Sequence, residues 1–351
     1  MQTIDFHVHL LSPEMRPGRL PRRLLARFLA RWQGIDPDEF LADPYSAYTR
    51  GLVRLVRESA CLDKIVLFGV DARLDRQGRV VHRDATVCAS NEDLLALYRE
   101  NPDIIIPFFS VNPLRPDALE RIDRYVELGF RGGKFLQNYW GVDTREERFS
   151  AYFERLRQRG LPLIVHLGSE GCVDSVRACE GIAMLEQPLA AGVTVVAAHM
   201  ALSYRPLTIW RALSRKSRNF SPDYFRLLEL LADHANLYAD LSSLLTPVRA
   251  GVLAHLAGQE QVHHKLLFAT DYPVPFSMVF SPCGLPLATR VALDRIANPF
   301  DRAVAALRHF FPEDSPVYSN HRKLLQPGGT CIPARQGARP AQDSGSTSTS
   351  M

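Results

Sequence analysis

The sequence lacks the features that mark a zinc-knuckle, disulfide-bonded or membrane-spanning protein. Its six cysteines are scattered and form no CxxC pair, so neither a structural zinc site nor a disulfide scaffold is indicated. No signal-peptide pattern precedes the first strand-like run, and no apolar run approaches the length that a bilayer requires. We therefore expect a cytoplasmic protein with no membrane partner.

Basic tracts of the kind that bind nucleic acid are also missing. The net charge is only +4 over 351 residues, and no long basic run is interleaved with aromatic residues. Hydrophobic residues make up 46% and charged residues 23%, which is ordinary for a folded protein with a sizeable core. We expect a small-molecule ligand and no nucleic-acid partner, and a homodimer is compatible with this composition.

What the sequence does contain is an alternation of short β-rich apolar runs with helical stretches. There are eight such runs: Ile4–His9, Lys64–Val70, Ile104–Val111, Phe130–Gln137, Pro162–Leu167, Thr194–His199, Asn236–Leu241 and Lys265–Asp271. Alternating strands and helices predict a parallel sheet, and eight units predict a closed (β/α)₈ barrel, or TIM barrel, of the α/β class. Such a barrel commonly uses about 250 residues or more as one domain.

Two stretches depart from this alternation. Residues 11–57 are far longer than an ordinary link between strands and contain a basic amphipathic helix, Pro21–Trp32. Its apolar face, with Leu24, Leu25, Phe28, Leu29 and Trp32, is expected to be buried against the barrel or a partner subunit. Residues 327–351 are rich in Gly, Pro, Ser, Thr and Gln, which predicts a disordered tail. We therefore assign 1–326 to the barrel, with 11–57 as a helical insertion.

Potential metal ligands recur where the apolar runs end. His7 and His9 are two residues apart on the first run, so both side chains point to one face and can reach one ion. An HxH pair alone is a weak signal, since two chance histidines produce it too. Further ligand types end four later runs, and barrel active sites are assembled from the carboxyl ends of the strands. These residues are Lys134, His166, His199 and Asp271.

These residues and their surroundings resemble the amidohydrolase superfamily, and more closely its amidohydrolase-2 group. The resemblance covers about residues 1–326 and is carried by IDFHVHL, PFFSVNP, GFRGGKFLQ, GLPLIVHLG, NLYADLSSL, LLFATDYPVP and YSNHRKLL. It implies HxH on the first strand, a lysine on the fourth, one histidine each on the fifth and sixth, and an aspartate on the eighth. His7, His9, Lys134, His166, His199 and Asp271 match those positions. The group includes hydrolases, non-oxidative decarboxylases, hydratases and a metal-free lactonase type.

The resemblance implies one or two divalent ions held by His7, His9, His166, His199 and Asp271. Zinc suits a mixed nitrogen and oxygen donor set best, and manganese and iron are alternatives. An ammonium cannot ligate a metal, so Lys134 would have to be carbamylated, as its counterpart is in binuclear members. The alternative is that Lys134 pairs with a carboxylate or with substrate.

We expect a metal-dependent hydrolase that activates water to cleave a C–N or C–O bond of an amide, ester or lactone. Asp271 would transfer the proton, and His199 would either ligate a second ion or stabilise the oxyanion. The alternatives are a metal-dependent decarboxylase of a small aromatic or unsaturated acid, and a non-catalytic barrel, which is disfavoured because no ligand is lost. Arg16 or Arg19 is expected to bind a substrate carboxylate, with a solvated basic face as the alternative.

Overall fold

The structure, a computed structural model, describes residues 3–16, 20–169, 173–203 and 220–325. Its strands are β1 (Ile4–His9), β2 (Lys64–Phe68), β3 (Arg73–Leu74), β4 (Val80–His82), β5 (Ile105–Pro107), β6 (Gly133–Phe135), β7 (Leu163–Val165), β8 (Val195–Ala197), β9 (Leu237–Asp240) and β10 (Leu266–Leu267). Its helices are α1 (Leu20–Trp32), α2 (Pro37–Ala42), α3 (Pro44–Arg57), α4 (Asn91–Glu100), α5 (Ala118–Glu127), α6 (Gln137–Trp140), α7 (Ser150–Gln158), α8 (Glu186–Ala190), α9 (Pro222–Asp233), α10 (Leu253–Ala257), α11 (Leu287–Asp294) and α12 (Pro299–Leu307). The predicted disordered tail lies outside the described residues.

Parallel pairing joins eight of these strands into a closed barrel. β1 pairs with β2 and β2 with β5, while β6 to β10 pair in chain order. A bridge between Phe109 and Gly133 joins the end of β5 to β6, and a bridge between Val8 and Tyr272 joins the end of β10 to β1. The predicted TIM barrel is therefore confirmed, and all eight predicted runs contain a barrel strand.

A register shift in β1 determines which of its side chains face the barrel interior. Asp5 is opposite Ile65 of β2, but Val8 is opposite Leu67, so β1 carries one extra residue between these pairs. Ile4 and Phe6 belong to an interior apolar cluster that draws on seven of the eight barrel strands. In a regular strand neighbouring side chains point to opposite faces, because a strand has a period of two. Without the extra residue, Phe6 would face inward and His7 would face outward. The bulge therefore lets both Phe6 and His7 face the interior.

The insertion after β1 contains the three helices α1 to α3. In α3, Tyr48, Leu52 and Leu55 are buried, as expected of an amphipathic helix on a barrel. In α1 the arrangement is different, because Leu24 and Phe28 are 63% and 61% exposed. The protein therefore covers the predicted apolar face of α1 only in part, at the half-buried Leu29 and Trp32, and leaves Leu24, Leu25 and Phe28 exposed.

The loop after β2 contains the antiparallel hairpin formed by β3 and β4, which the sequence analysis did not predict. Its strands are two and three residues long, and β4 is exposed along its whole length. Strands of this length are too short to show an alternating pattern of apolar residues. Among the described helices, none has the length and apolar character needed to cross a bilayer.

Candidate metal centre

His7, His9 and Asp271 converge at the carboxyl end of the barrel. Their potential ligand atoms all lie within 4.8 Å of one another. Oδ1 of Asp271 is 3.4 Å from Nε2 of His7 and 3.2 Å from Nε2 of His9. This oxygen is buried and accepts no hydrogen bond of normal geometry from the described residues. Two imidazole nitrogens and one carboxylate oxygen therefore face a common point, and this donor set fits a divalent transition metal.

The orientation of His7 is set by a carboxylate behind it. Nδ1 of His7 lies 2.8 Å from Oδ2 of Asp240, and both side chains are fully buried. A proton on Nδ1 leaves Nε2 as the atom with a lone pair, aimed at Asp271. Asp240 also accepts the backbone N–H of His199 at 3.0 Å and that of Ser242 at 3.1 Å. The sequence places Asp240 at a strand end, but only the structure shows that it fixes His7.

Asp271 is held in a strained backbone conformation. Its φ is +71°, in the left-handed region that residues other than glycine rarely adopt. Its backbone N–H donates to the carbonyl of His7 at 3.0 Å, and the Ser243 hydroxyl donates to Oδ2 at 2.6 Å. Burial by itself would raise the pKa of Asp271, but the imidazoles of His9 and His7 and the Ser243 hydroxyl outweigh it and lower that pKa. The side chain is therefore an ionised carboxylate.

The remaining predicted histidines lie against this group. His199, whose φ is +57°, places Nε2 at 3.3 Å from Nδ1 of His166, and its own Nδ1 lies 2.8 Å from the Ser242 hydroxyl. The ring centroids of His199 and His7 are 5.0 Å apart. Of the described residues, however, only His7, His9 and Asp271 meet the one-ion spacing without rearrangement. His166 and His199 thus lie next to the group formed by His7, His9 and Asp271, here called the metal group, and contact each other.

The buried histidines are neutral, which is the form that binds a metal. Burial lowers the pKa of His7, His166 and His199 well below the usual value. Nearby positive charge adds to this effect: Lys134 lowers the pKa of His7 and His166, and Arg249 that of His199.

Lys134 lies beside His7 in the same group of buried side chains. It is 1% exposed, and its Nζ lies 3.2 Å from Nε2 of His7 and 5.1 Å from the centre of the Phe68 ring. An ammonium group in this place engages the nitrogen that faces Asp271, so it competes with a metal for that lone pair. A carbamylated side chain would instead present carboxylate oxygens at the end of β6. The structure therefore brings Lys134 to the metal group, as the sequence predicts.

The arginines predicted to bind a substrate carboxylate are placed differently. The Arg16 guanidinium donates to the backbone carbonyls of Pro13 and Met15 at 3.0 and 2.9 Å, and Arg19 lies outside the described residues. Sequence reasoning missed Arg249, which is 4% exposed and donates from Nε to the carbonyl of Leu202 at 3.1 Å. Arg249 follows shortly after the seventh predicted strand, and this position could have indicated that it lies near the carboxyl end of the barrel.

Comparisons with known proteins agree with this fold. The family model described as Amidohydrolase matches residues 4–277, which span all the predicted site residues. The solved structures include a probable 2-pyrone-4,6-dicarboxylic acid hydrolase from Acinetobacter baumannii with citric acid bound, at 14% identity and TM-score 0.52, covering 93% of this chain and 99% of that one. An amidohydrolase from Burkholderia multivorans with bound zinc has 14% identity, the same coverages and TM-score 0.50.

An uncharacterized TIM-barrel protein from Bordetella bronchiseptica has 16% identity and TM-score 0.50, covering 88% of this chain and 99% of that one. Among curated proteins, none matches the sequence. At these identities the structural likeness establishes the barrel fold, while the match to the family model extends over most of the chain.

Proposed function

Because this chain belongs to the amidohydrolase family, and is therefore an enzyme, we propose that it is a metal-dependent hydrolase. Its substrate would be a small anionic molecule in which a C–N or C–O bond of an amide, ester or lactone is cleaved. The observation that carries this proposal is the convergence of His7, His9 and Asp271 within 4.8 Å at the carboxyl end of the barrel.

We assign His7, His9, His166 and Asp271 to a first ion, with zinc preferred over manganese or iron. His166 would join the other three after a rearrangement of its side chain. A second ion requires a carbamylated Lys134, with His199 as a further ligand. When bound, the metal supplies a Lewis acid that polarises a substrate carbonyl and lowers the pKa of a water molecule to about 7.

The protein's own groups supply proton transfer and charge stabilisation. Asp271 is an ionised carboxylate whose Oδ2 is held by Ser243, so it can accept a proton from water and deliver it to the leaving group. The Ser242 hydroxyl gives its proton to Asp240, so Nδ1 of His199 donates to that hydroxyl and the lone pair of the neutral ring lies on Nε2. In the neutral ring Nε2 would ligate a second ion, and it would stabilise a developing oxyanion only after gaining a proton.

The family includes decarboxylases as well as hydrolases, so the reaction needs a direct test. Protein purified without chelators would be given a panel of lactones, esters, amides and small aromatic acids in ¹⁸O-labelled water. Hydrolysis predicts label in the product and no carbon dioxide. Release of carbon dioxide without incorporation of label would replace the proposal by the decarboxylase alternative. Protein stripped of metal, and the same sample after metal is restored, provide the matched control.

We propose that the enzyme is located in the reducing cytoplasm. It would act there as a monomer or a homodimer. Cys61, Cys88, Cys179 and Cys283 are free thiols in the structure, and three of them are buried. Free thiols are usual in a reducing compartment. Extraction of the native protein with thiol-alkylating reagents would test this, because an oxidising compartment predicts blocked or cross-linked cysteines.

A further inference from the structure

Helix α1 presents three of its large apolar side chains to solvent, while Leu29 and Trp32 are half-buried. Leu24, Leu25 and Phe28 are 63%, 57% and 61% exposed, whereas Ala30 is 4% exposed. Ala30 lies almost opposite these three residues when each is placed at 100° intervals around the helix. A surface helix of a soluble barrel normally has the reverse arrangement, so this face is shaped for contact with something outside the barrel.

The helix cannot simply roll over to bury this face, because its carboxyl end is fixed. The Trp32 indole N–H donates to the carbonyl of Phe276 at 2.7 Å, and the Gln33 amide donates to the carbonyl of Pro273 at the same distance. The guanidinium of the buried Arg302 lies over the Trp32 ring, 5.0 Å from its centre. These contacts fasten α1 to α12 and to the segment that follows Asp271, and they hold its orientation.

The charges on α1 are all of one sign. Arginines occur at positions 22, 23, 27 and 31, and the helix contains no acidic residue. Arg27 is paired with Asp38 of α2, but within the described ranges no ion pair is formed by Arg23 or Arg31, which are both exposed. Asp36 accepts two backbone N–H groups of α2 and Glu39 pairs with Arg50, so neighbouring acids are already engaged. The apolar face is thus flanked by uncompensated positive charge.

The rest of the chain offers this face no suitable cover. The stretch 204–219 contains five Arg or Lys residues and no acid, so like charges oppose its binding to α1. Residues 326–351 are mostly Gly, Pro, Ser, Thr and Gln and have few large apolar side chains. Neither stretch combines an apolar stripe with negative charge.

A second copy of the chain is also a poor match. In a two-fold symmetric dimer the same patch meets itself, which would bring the arginines of both helices together. Three side chains form an apolar patch of roughly a few hundred Å², whereas a stable dimer buries about 800 Å² on each partner. An extended surface that is negatively charged and can accept apolar side chains meets both requirements.

We propose that α1 binds peripherally to an anionic lipid bilayer, in place of the expectation of no membrane partner that the lack of a spanning segment suggested. Leu24, Leu25 and Phe28 would enter the boundary between headgroups and acyl chains, while Arg23 and Arg31 would contact lipid phosphates. A basic helix with Leu and Phe on its other face is typical of helices that lie in the plane of a membrane surface. The inner leaflet of a cell membrane carries negative charge, so this binding agrees with a cytoplasmic location.

The test is binding of the full-length protein to vesicles, measured by flotation. Vesicles of phosphatidylcholine alone would be compared with vesicles that also contain about 30% phosphatidylglycerol, the anionic lipid. We expect at least tenfold tighter binding to the anionic vesicles, weakened by added salt. The Leu25→Ser/Phe28→Ser variant should bind at least tenfold more weakly, and Arg23→Gln/Arg31→Gln should lose roughly fivefold per arginine.

The matched control removes exposed apolar side chains elsewhere. Val80 and Val81 of the hairpin are 58% and 56% exposed, so Val80→Ser/Val81→Ser removes apolar side chains of similar fractional exposure and should bind vesicles like the wild type. Circular dichroism and metal content should be unchanged in all three variants, which excludes loss of folding. If the wild-type protein does not bind anionic vesicles more tightly than phosphatidylcholine vesicles, the proposal is overturned. A dimer in sedimentation velocity that Leu25→Ser/Phe28→Ser dissociates, without vesicle binding, would assign the face to a second copy instead.

Discussion

Nδ1 of His7 lies 2.8 Å from the carboxylate of Asp240, so this ring nitrogen is held by Asp240 while the other, Nε2, points to Asp271. Removing the charge behind His7 should weaken metal binding while the ligands themselves remain. We expect Asp240→Asn to lower metal affinity by about tenfold to a hundredfold, as observed for carboxylates behind metal-bound histidines. Competition with a coloured chelator measures this affinity. An affinity equal to that of the wild type would show that Asp240 does not orient His7.

The metal assignment predicts that the two histidines of β1 are indispensable for occupancy. His7→Ala/His9→Ala should remain folded but lose its metal, because two of the three converging ligand groups are removed. Mass spectrometry under native conditions reports metal per chain. His309 is exposed, so His309→Ala is the control and should keep full occupancy. Full occupancy in the double variant would contradict the assignment.

Asp271 is predicted to act on a proton in the transition state, so its loss should appear in kcat. Asp271→Asn should lower kcat by about 10² to 10⁴ while the affinity for substrate changes less. Ser243→Ala removes only the hydroxyl that donates to Oδ2 and should cause a smaller loss. Steady-state kinetics at saturating metal provides the comparison, and wild-type kcat in Asp271→Asn would remove this residue from proton transfer.

Lys134 provides a test that distinguishes one ion from two. If it is carbamylated, Lys134→Ala should lose activity and metal, and short carboxylates such as acetate or propionate should restore part of both. The physical reason is that the added carboxylate replaces the oxygen ligands that the carbamate supplied. A crystal structure of metal-loaded protein with an unmodified ammonium at Lys134 would refute the modification, and the one-ion site would then remain.

The barrel and its ligand types could be predicted from the sequence because both are recorded in local patterns. Each apolar run followed by a helical stretch marks one unit of a parallel barrel, so eight runs were enough to predict closure. A histidine or aspartate at the end of such a run has its place at the carboxyl end of the barrel before any contact is known. The convergence of His7, His9 and Asp271 could therefore be expected from the sequence alone.

What the tertiary structure decided depends on pairs of residues that are distant in the sequence. The β1 bulge is set by the register between β1 and β2, and it is what lets His7 and Phe6 both face the interior. The placement of Asp240 behind His7 joins strands that are far apart along the chain. The amphipathic period of α1 could be recognised in the sequence. Such a period defines an apolar face but does not say whether that face is turned to the barrel or to solvent. That direction follows from the contacts that fix Trp32, and these exist only once the barrel has closed.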